Sequence, residues 1–137
     1  MRITYIEEEI NMKLLKCSVC GNIVEMVEDK GIPVMCCGKP MNVLEANTTD
    51  GALEKHVPVA EVVDGSVHVK VGSVEHPMLA EHYITMIVVE AGNAVYRVNL
   101  KPEEKPEAVV ALNGYKGKVT VYEYCNLHGL WKTEIEA

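Results

Sequence analysis

The sequence predicts an all-β protein, an antiparallel β-sandwich preceded by a small cysteine-rich module. Three observations predict it. Beyond residue 52, short β-branched runs recur between turn residues at the roughly eight-to-twelve-residue spacing of sandwich strands. No amphipathic stretch is long enough to force a helix, and only HPMLAEH, 76–82, could form a single helical turn. Four of the five cysteines fall within 21 residues near the start, while Cys125 stands alone near the end.

The elements follow in order. Residues 1–11 read as an appendage, because Met12 opens MKLLKCSVCG as a natural start. Residues 12–49 form the cysteine-rich module, punctuated by Gly21, Gly31, Pro33, Gly38 and Pro40. A unit this small cannot bury enough surface to stand alone, so a bound metal must contribute to its folding. Ile23, Val24, Val27, Ile32 and Val34 are expected to pack around that metal site or against a partner chain. The turn-rich NTTDG, 47–51, marks the boundary with a sandwich domain over 50–137.

Within that domain, VPVAEVVDGSVHVKVG holds two strands joined at Asp64-Gly65, a strong short-range hairpin signal. YITMIVVE and AVYRVNL flank Gly92-Asn93. EAVVALN, KVTVYEY and LWKTEIE complete about seven strands.

Composition narrows the function. Net charge is −7, with no Lys/Arg cluster to track a phosphate backbone, so nucleic acid is not an expected partner. No apolar run approaches the roughly 20 residues of a membrane helix, and MRITYIEEEI has neither a secretory nor a transit pattern. The expectation is a soluble cytoplasmic protein. An odd cysteine count without an export signal argues for ligands or catalytic thiols rather than a disulfide framework.

Cys17-Ser18-Val19-Cys20-Gly21 is a two-residue-spaced pair whose turn aims both sulfurs at one point. The glycine lets backbone N–H groups approach the thiolates. Cys36 and Cys37 are adjacent, and neighbouring side chains diverge, so a tetrahedron built on them should be distorted. Four thiolates make a closed soft site for iron or zinc. A purely structural zinc knuckle fits the spacing equally well.

Among the five histidines, His68 alternates with Val67, Val69 and Val71 and belongs to the solvent face of a strand; it is excluded as a ligand. His56, His76, His82 and His128 sit at strand ends or in loops, where a scaffold presents functional groups. Any one of them could be merely structural. If all four converge with Cys125, four neutral imidazoles and one thiolate favour divalent iron over a tetrahedral structural zinc and leave a sixth position open. The thiolate would donate electron density to that iron.

These motifs resemble the desulfoferrodoxins, the two-iron form of superoxide reductase. The resemblance covers nearly everything from Met12 onward: CSVC, fifteen intervening residues and CC, then EKHVP (54–58), HPMLAEHYI (76–84) and CNLHGLW (125–131). It implies a desulforedoxin-like iron centre on Cys17, Cys20, Cys36 and Cys37, with zinc possible there. It implies a second iron with His56, His76, His82 and His128 equatorial and Cys125 axial. Glu54 matches the carboxylate that closes the vacant position in the ferric state, and Lys55 the cation that attracts superoxide. An immunoglobulin-like sandwich, a homodimer and a rubredoxin-like electron donor are implied as well. Two other readings stay open: an electron-transfer iron protein without oxygen chemistry, and a zinc-knuckle β-sandwich binding module.

Overall fold

The computed structural model describes residues 12–137, and the expected appendage over 1–11 lies outside them. The cysteine-rich module is built from five very short strands: β1 (Leu14–Lys16), β2 (Ile23–Glu25), β3 (Met35–Cys36), β4 (Lys39–Pro40) and β5 (Asn42–Val43). β2, β1 and β5 form one antiparallel sheet in that order, and β3 pairs with β4 as a minimal hairpin. With so few residues per strand, the backbone ladder alone cannot hold the module.

The chain then makes one helical turn, α1 (Leu53–His56), and enters the sandwich. Its strands are β6 (Pro58–Val63), β7 (Ser66–Val71), β8 (Ile84–Ala91), β9 (Ala94–Asn99), β10 (Glu107–Ala111), β11 (Lys118–Cys125) and β12 (Gly129–Glu136). All seven strands expected from the sequence are present. They divide into a three-stranded sheet, β10-β7-β6, and a four-stranded sheet, β12-β11-β8-β9, every neighbour antiparallel. Three strands facing four is the division of an immunoglobulin-like sandwich.

Alternation explains the core. On β7, Val67, Val69 and Val71 point inward, while His68 and Lys70 face solvent. They meet Ile84, Ile87, Val89, Val119, Val121 and Cys125 of the facing sheet. β11 is buried on both faces. Its outer face contributes Tyr122 and Tyr124 to a second cluster with Leu14, Val88 and Leu130, and this cluster seats the cysteine-rich module on the sandwich. Lys16 adds a hydrogen bond from Nζ to the Tyr124 hydroxyl at 2.8 Å. Asn47, within the junction, accepts from the Lys132 N–H at 2.9 Å and ties it to β12.

Two expectations change. The single helical turn falls on LEKH, 53–56, not on HPMLAEH. Pro77 keeps His76 out of the helical region, and Leu79 and His82 close a tight bridge through reciprocal backbone hydrogen bonds of 2.9 and 3.1 Å. The module's apolar residues also part company. Ile23 packs into the second cluster, whereas Val24, Val27 and Ile32 are exposed.

Candidate metal centres

The four sulfurs of Cys17, Cys20, Cys36 and Cys37 lie within 4.8 Å of one another. Local backbone geometry brings them there. Cys37 takes a positive φ of 52°, as does Gly38 at 74°, and this left-handed corner turns adjacent side chains toward one point. Around the first pair, the N–H groups of Val19 and Cys20 donate to Cys17 Sγ, and that of Asn22 to Cys20 Sγ, each at 3.4 Å. The N–H donors of Cys20 and Val19 lower the Cys17 pKa to about 6. Hydrogen bonding with the Cys17 and Cys20 sulfurs raises the thiols of Cys36 and Cys37, that of Cys36 to about 12. Without a cation, four thiolates cannot share this volume. The donor set therefore fits a soft divalent or trivalent metal.

The second group is assembled over long sequence distances at one end of the sandwich. α1 ends in His56 because Val57, which precedes Pro58, must be extended. The β7–β8 connection carries His76 and His82, β11 ends in Cys125, and the following turn carries His128. Ligand atoms of all five lie within 4.8 Å of one another. His56 Nε2 is 3.2 Å from His76 Nε2 and 3.1 Å from His128 Nδ1. Cys125 Sγ is 3.5 Å from His76 Nε2 and 3.7 Å from His128 Nδ1.

Protons decide what this cluster can hold. Nδ1 of His56 donates to the Ala52 carbonyl at 2.8 Å, and Nδ1 of His76 to the Pro77 carbonyl at 2.7 Å. A carbonyl only accepts, so each Nδ1 bears the hydrogen. Burial lowers the pKa of His56, His76 and His82, that of His76 to about 4, so the rings are neutral near pH 7. Two bare Nε2 lone pairs thus oppose each other at 3.2 Å. His82 Nε2 is also buried without a hydrogen-bond partner. Such an arrangement is repulsive until a cation enters. Four imidazole nitrogens and one thiolate suit divalent iron.

Neighbouring groups complete the site. Trp131, 1 % exposed, stacks on His56 with ring centroids 5.1 Å apart and donates from Nε1 to the His128 carbonyl at 3.0 Å. Burial raises the Cys125 pKa, and the N–H groups of Leu127 and His128 oppose that rise by hydrogen-bonding the sulfur. The Glu54 carbonyl accepts from the Val74 N–H at 2.9 Å and from Ser73 Oγ at 3.2 Å, while the residue itself is exposed. Gly72 makes that grip possible: a Cβ there would sit 2.7 Å from the Glu54 oxygen. Lys55 is half-buried, and its charge contributes to lowering the His82 pKa. Glu123 is fully buried among apolar side chains, with neither carboxylate oxygen hydrogen-bonded. Burial raises its pKa to about 9, which makes it an un-ionised acid at neutral pH.

All nine expected ligands thus fall into two clusters, and His68 stays exposed on β7, as alternation requires. Sequence reasoning missed Gly72, Glu123, Asn126 and Trp131. A signal existed for Glu123, which shares the inward register of Val119, Val121 and Cys125 on β11. Asn126 and Trp131 lie inside CNLHGLW, read only as a frame for its ligands.

Comparison with known proteins agrees with this geometry. The desulfoferrodoxin family model matches residues 48–134, and the model of the desulfoferrodoxin N-terminal domain matches residues 10–44. A desulfoferrodoxin of Syntrophotalea carbinolica is 50% identical over 123 residues, covering 90% of this chain and 96% of the relative. One from Nitratidesulfovibrio vulgaris is 46% identical over 122 residues, covering 89% and 95%. The crystal structure of the superoxide reductase from Treponema pallidum superposes with a TM-score of 0.71 at 31% identity, covering 90% of this chain and 98% of that one.

Proposed function

The chain belongs to the desulfoferrodoxin family, and from that membership and the opposed imidazoles we infer that it is a superoxide reductase with two iron centres. The reaction is a one-electron reduction in which superoxide, one electron and two protons give hydrogen peroxide. The observation that carries the reading is the five-atom cluster of His56, His76, His82, Cys125 and His128, whose fixed tautomers leave bare lone pairs that need a cation. Bound iron supplies the one-electron couple and the Lewis acidity that draws an anionic oxygen species.

The chain supplies the rest. Carbonyls of Ala52 and Pro77 hold the His56 and His76 rings as neutral donors, and Trp131 fixes the plane of His56. Superoxide, an anion, approaches a chain of net charge −7. Lys55, beside a ligand histidine at the rim, reverses the local potential and raises the encounter rate. Glu54, held at its backbone carbonyl and exposed beyond it, would be the carboxylate available as a further ligand to iron bound at the histidine centre. Protons come from water at the exposed rim.

The cysteine centre of residues 12–49 holds the second iron, or zinc in its place, and staples its module against the sandwich over 50–137. Exposed Val24, Val27, Ile32, Met35 and Val43 support a homodimer through that module. A rubredoxin-like protein is the proposed electron donor. Five unpaired thiols suit a reducing cytoplasm. No helix among the described residues is long and apolar enough to cross a membrane.

The test is stoichiometry. Reduced protein given superoxide should form one peroxide per superoxide consumed, oxidise its reductant and evolve no oxygen. Oxygen evolution without a reductant would make it a dismutase, and reversible oxidation without peroxide would make it an electron carrier.

A further inference from the structure

Metal-ligating histidines are ordinarily oriented by a hydrogen bond from the ring nitrogen that does not face the metal. His56 and His76 have that bond, to Ala52 and Pro77. Among the described residues, no carbonyl hydrogen-bonds the His82 ring, whose bare, buried Nε2 is the nitrogen left for the metal. Its position must be set by something other than its own ring.

The backbone around it is gripped instead, from the far side of the site. Asn126 lies between the ligands Cys125 and His128, and its side chain spans the two peptide groups that flank His82. Asn126 Oδ1 accepts from the Tyr83 N–H at 3.0 Å, and Nδ2 donates to the Glu81 carbonyl at 3.0 Å. A third bond runs from the Asn126 N–H to the Tyr83 carbonyl at 3.2 Å. Residues 81 and 83 are therefore both fastened to the strand end that delivers the thiolate. His82 is held between them. Farther from His82 the loop is tethered at Met78, whose carbonyl accepts from the Glu103 N–H at 2.8 Å and whose side chain packs on the core, while the bridge between Leu79 and His82 closes the loop's end upon itself.

Only an amide fits this role. It needs one acceptor for an N–H and one donor for a carbonyl, set side by side; a carboxylate lacks the donor and a hydroxyl is too short to reach both.

We propose that Asn126 is the positioning residue for His82: its side-chain amide clasps the peptides on either side of that histidine and so registers the His76–His82 loop against Cys125 and His128. The inference rests on His82 being a metal ligand, as in the function above.

The test is retention of iron(II) in the full-length protein against a competing chelator, with the four-cysteine centre as internal reference. Asn126→Ala should weaken iron retention at the histidine centre by about 10- to 100-fold, the range for loss of an orienting partner, and leave the cysteine centre unchanged. Asn126→Asp keeps the volume and the bond from Tyr83, and should lie between Ala and the parent. In a His82→Ala background, adding Asn126→Ala should change retention by less than about threefold, because its target is gone. The proposal is overturned if both Asn126 variants retain iron like the parent, or if Asn126→Ala costs as much without His82 as with it. If His82→Ala alone retains iron like the parent, His82 is no ligand and the functional reading fails with it.

Discussion

The two metal centres of this chain are built on opposite logics. The cysteine centre draws its ligands from 21 consecutive residues, from the ends of strands of two or three residues and the turns beside them, and Cys20 and Cys37 are exposed. The histidine centre gathers ligands as far as 72 residues apart onto the ends of a packed sandwich, where His56 and His76 are each 2 % exposed and Cys125 is fully buried. In the first, the metal organises the fold; in the second, the fold organises the site. N–H donors reach the sulfurs of both centres, whereas carbonyls fix tautomers only where the ligands are imidazoles.

The largest expected effect tests that contrast directly. Removing both metals should abolish hydrogen-exchange protection across residues 17–43 and leave β7, β8 and β11 protected. The module has little apolar burial of its own beyond Leu14 and Leu15, whereas the sandwich core is one continuous cluster of buried side chains from both sheets. Equal protection of both regions in the metal-free chain would remove the distinction.

Glu123 offers the next effect, and it belongs to the sandwich side. Its pKa, raised from 4.5 to about 9, means that the folded chain keeps a proton which the unfolded chain releases between those values. Stability therefore falls as pH rises through that window. Glu123→Gln has no proton to lose, so in urea unfolding of the metal-free sandwich it should gain about 1–3 kcal/mol at pH 8 and little near pH 4. A gain that does not vary with pH would mean that Glu123 is ionised in the native state.

How much of this was legible in the sequence divides along the same line. The cysteine centre could be read almost whole, because its spacing is local and thiols have few other uses in such a cluster. The seven strands were legible because alternation and turn residues mark them within a few positions of themselves, as at Asp64-Gly65. The convergence of His56, His76, His82 and His128 could only be reached through resemblance, since no local pattern states that three separate segments share one end of a sandwich. Gly72 and Asn126 were not legible. Their roles depend on contacts with residues 54 and 81–83, which are defined only after folding.

A smaller effect probes the electrostatics of the histidine centre. Lys55→Ala should slow superoxide capture by about tenfold at low ionic strength, with the difference shrinking as salt is added. Local attraction must overcome a net charge of −7, so the variant should also show a weaker or inverted salt dependence. A second-order rate equal to the parent's at low salt would exclude steering by this residue.

The smallest expected effect concerns the one histidine outside both centres. His68 lies opposite Glu61 on β6 and Val109 on β10, on the solvent face of a sheet whose other face is the core. It touches no ligand cluster and its side chain is exposed, so His68→Ala should alter stability by no more than about 0.5 kcal/mol and leave iron content at both centres unchanged. The comparison with His76→Ala is the informative one, because the two residues are chemically identical and only eight positions apart. His76 sits where its ring is desolvated, its tautomer is fixed by Pro77 and its bare nitrogen faces another; His68 has none of these constraints. Iron lost from both variants alike would mean that ring placement does not govern metal retention in this fold.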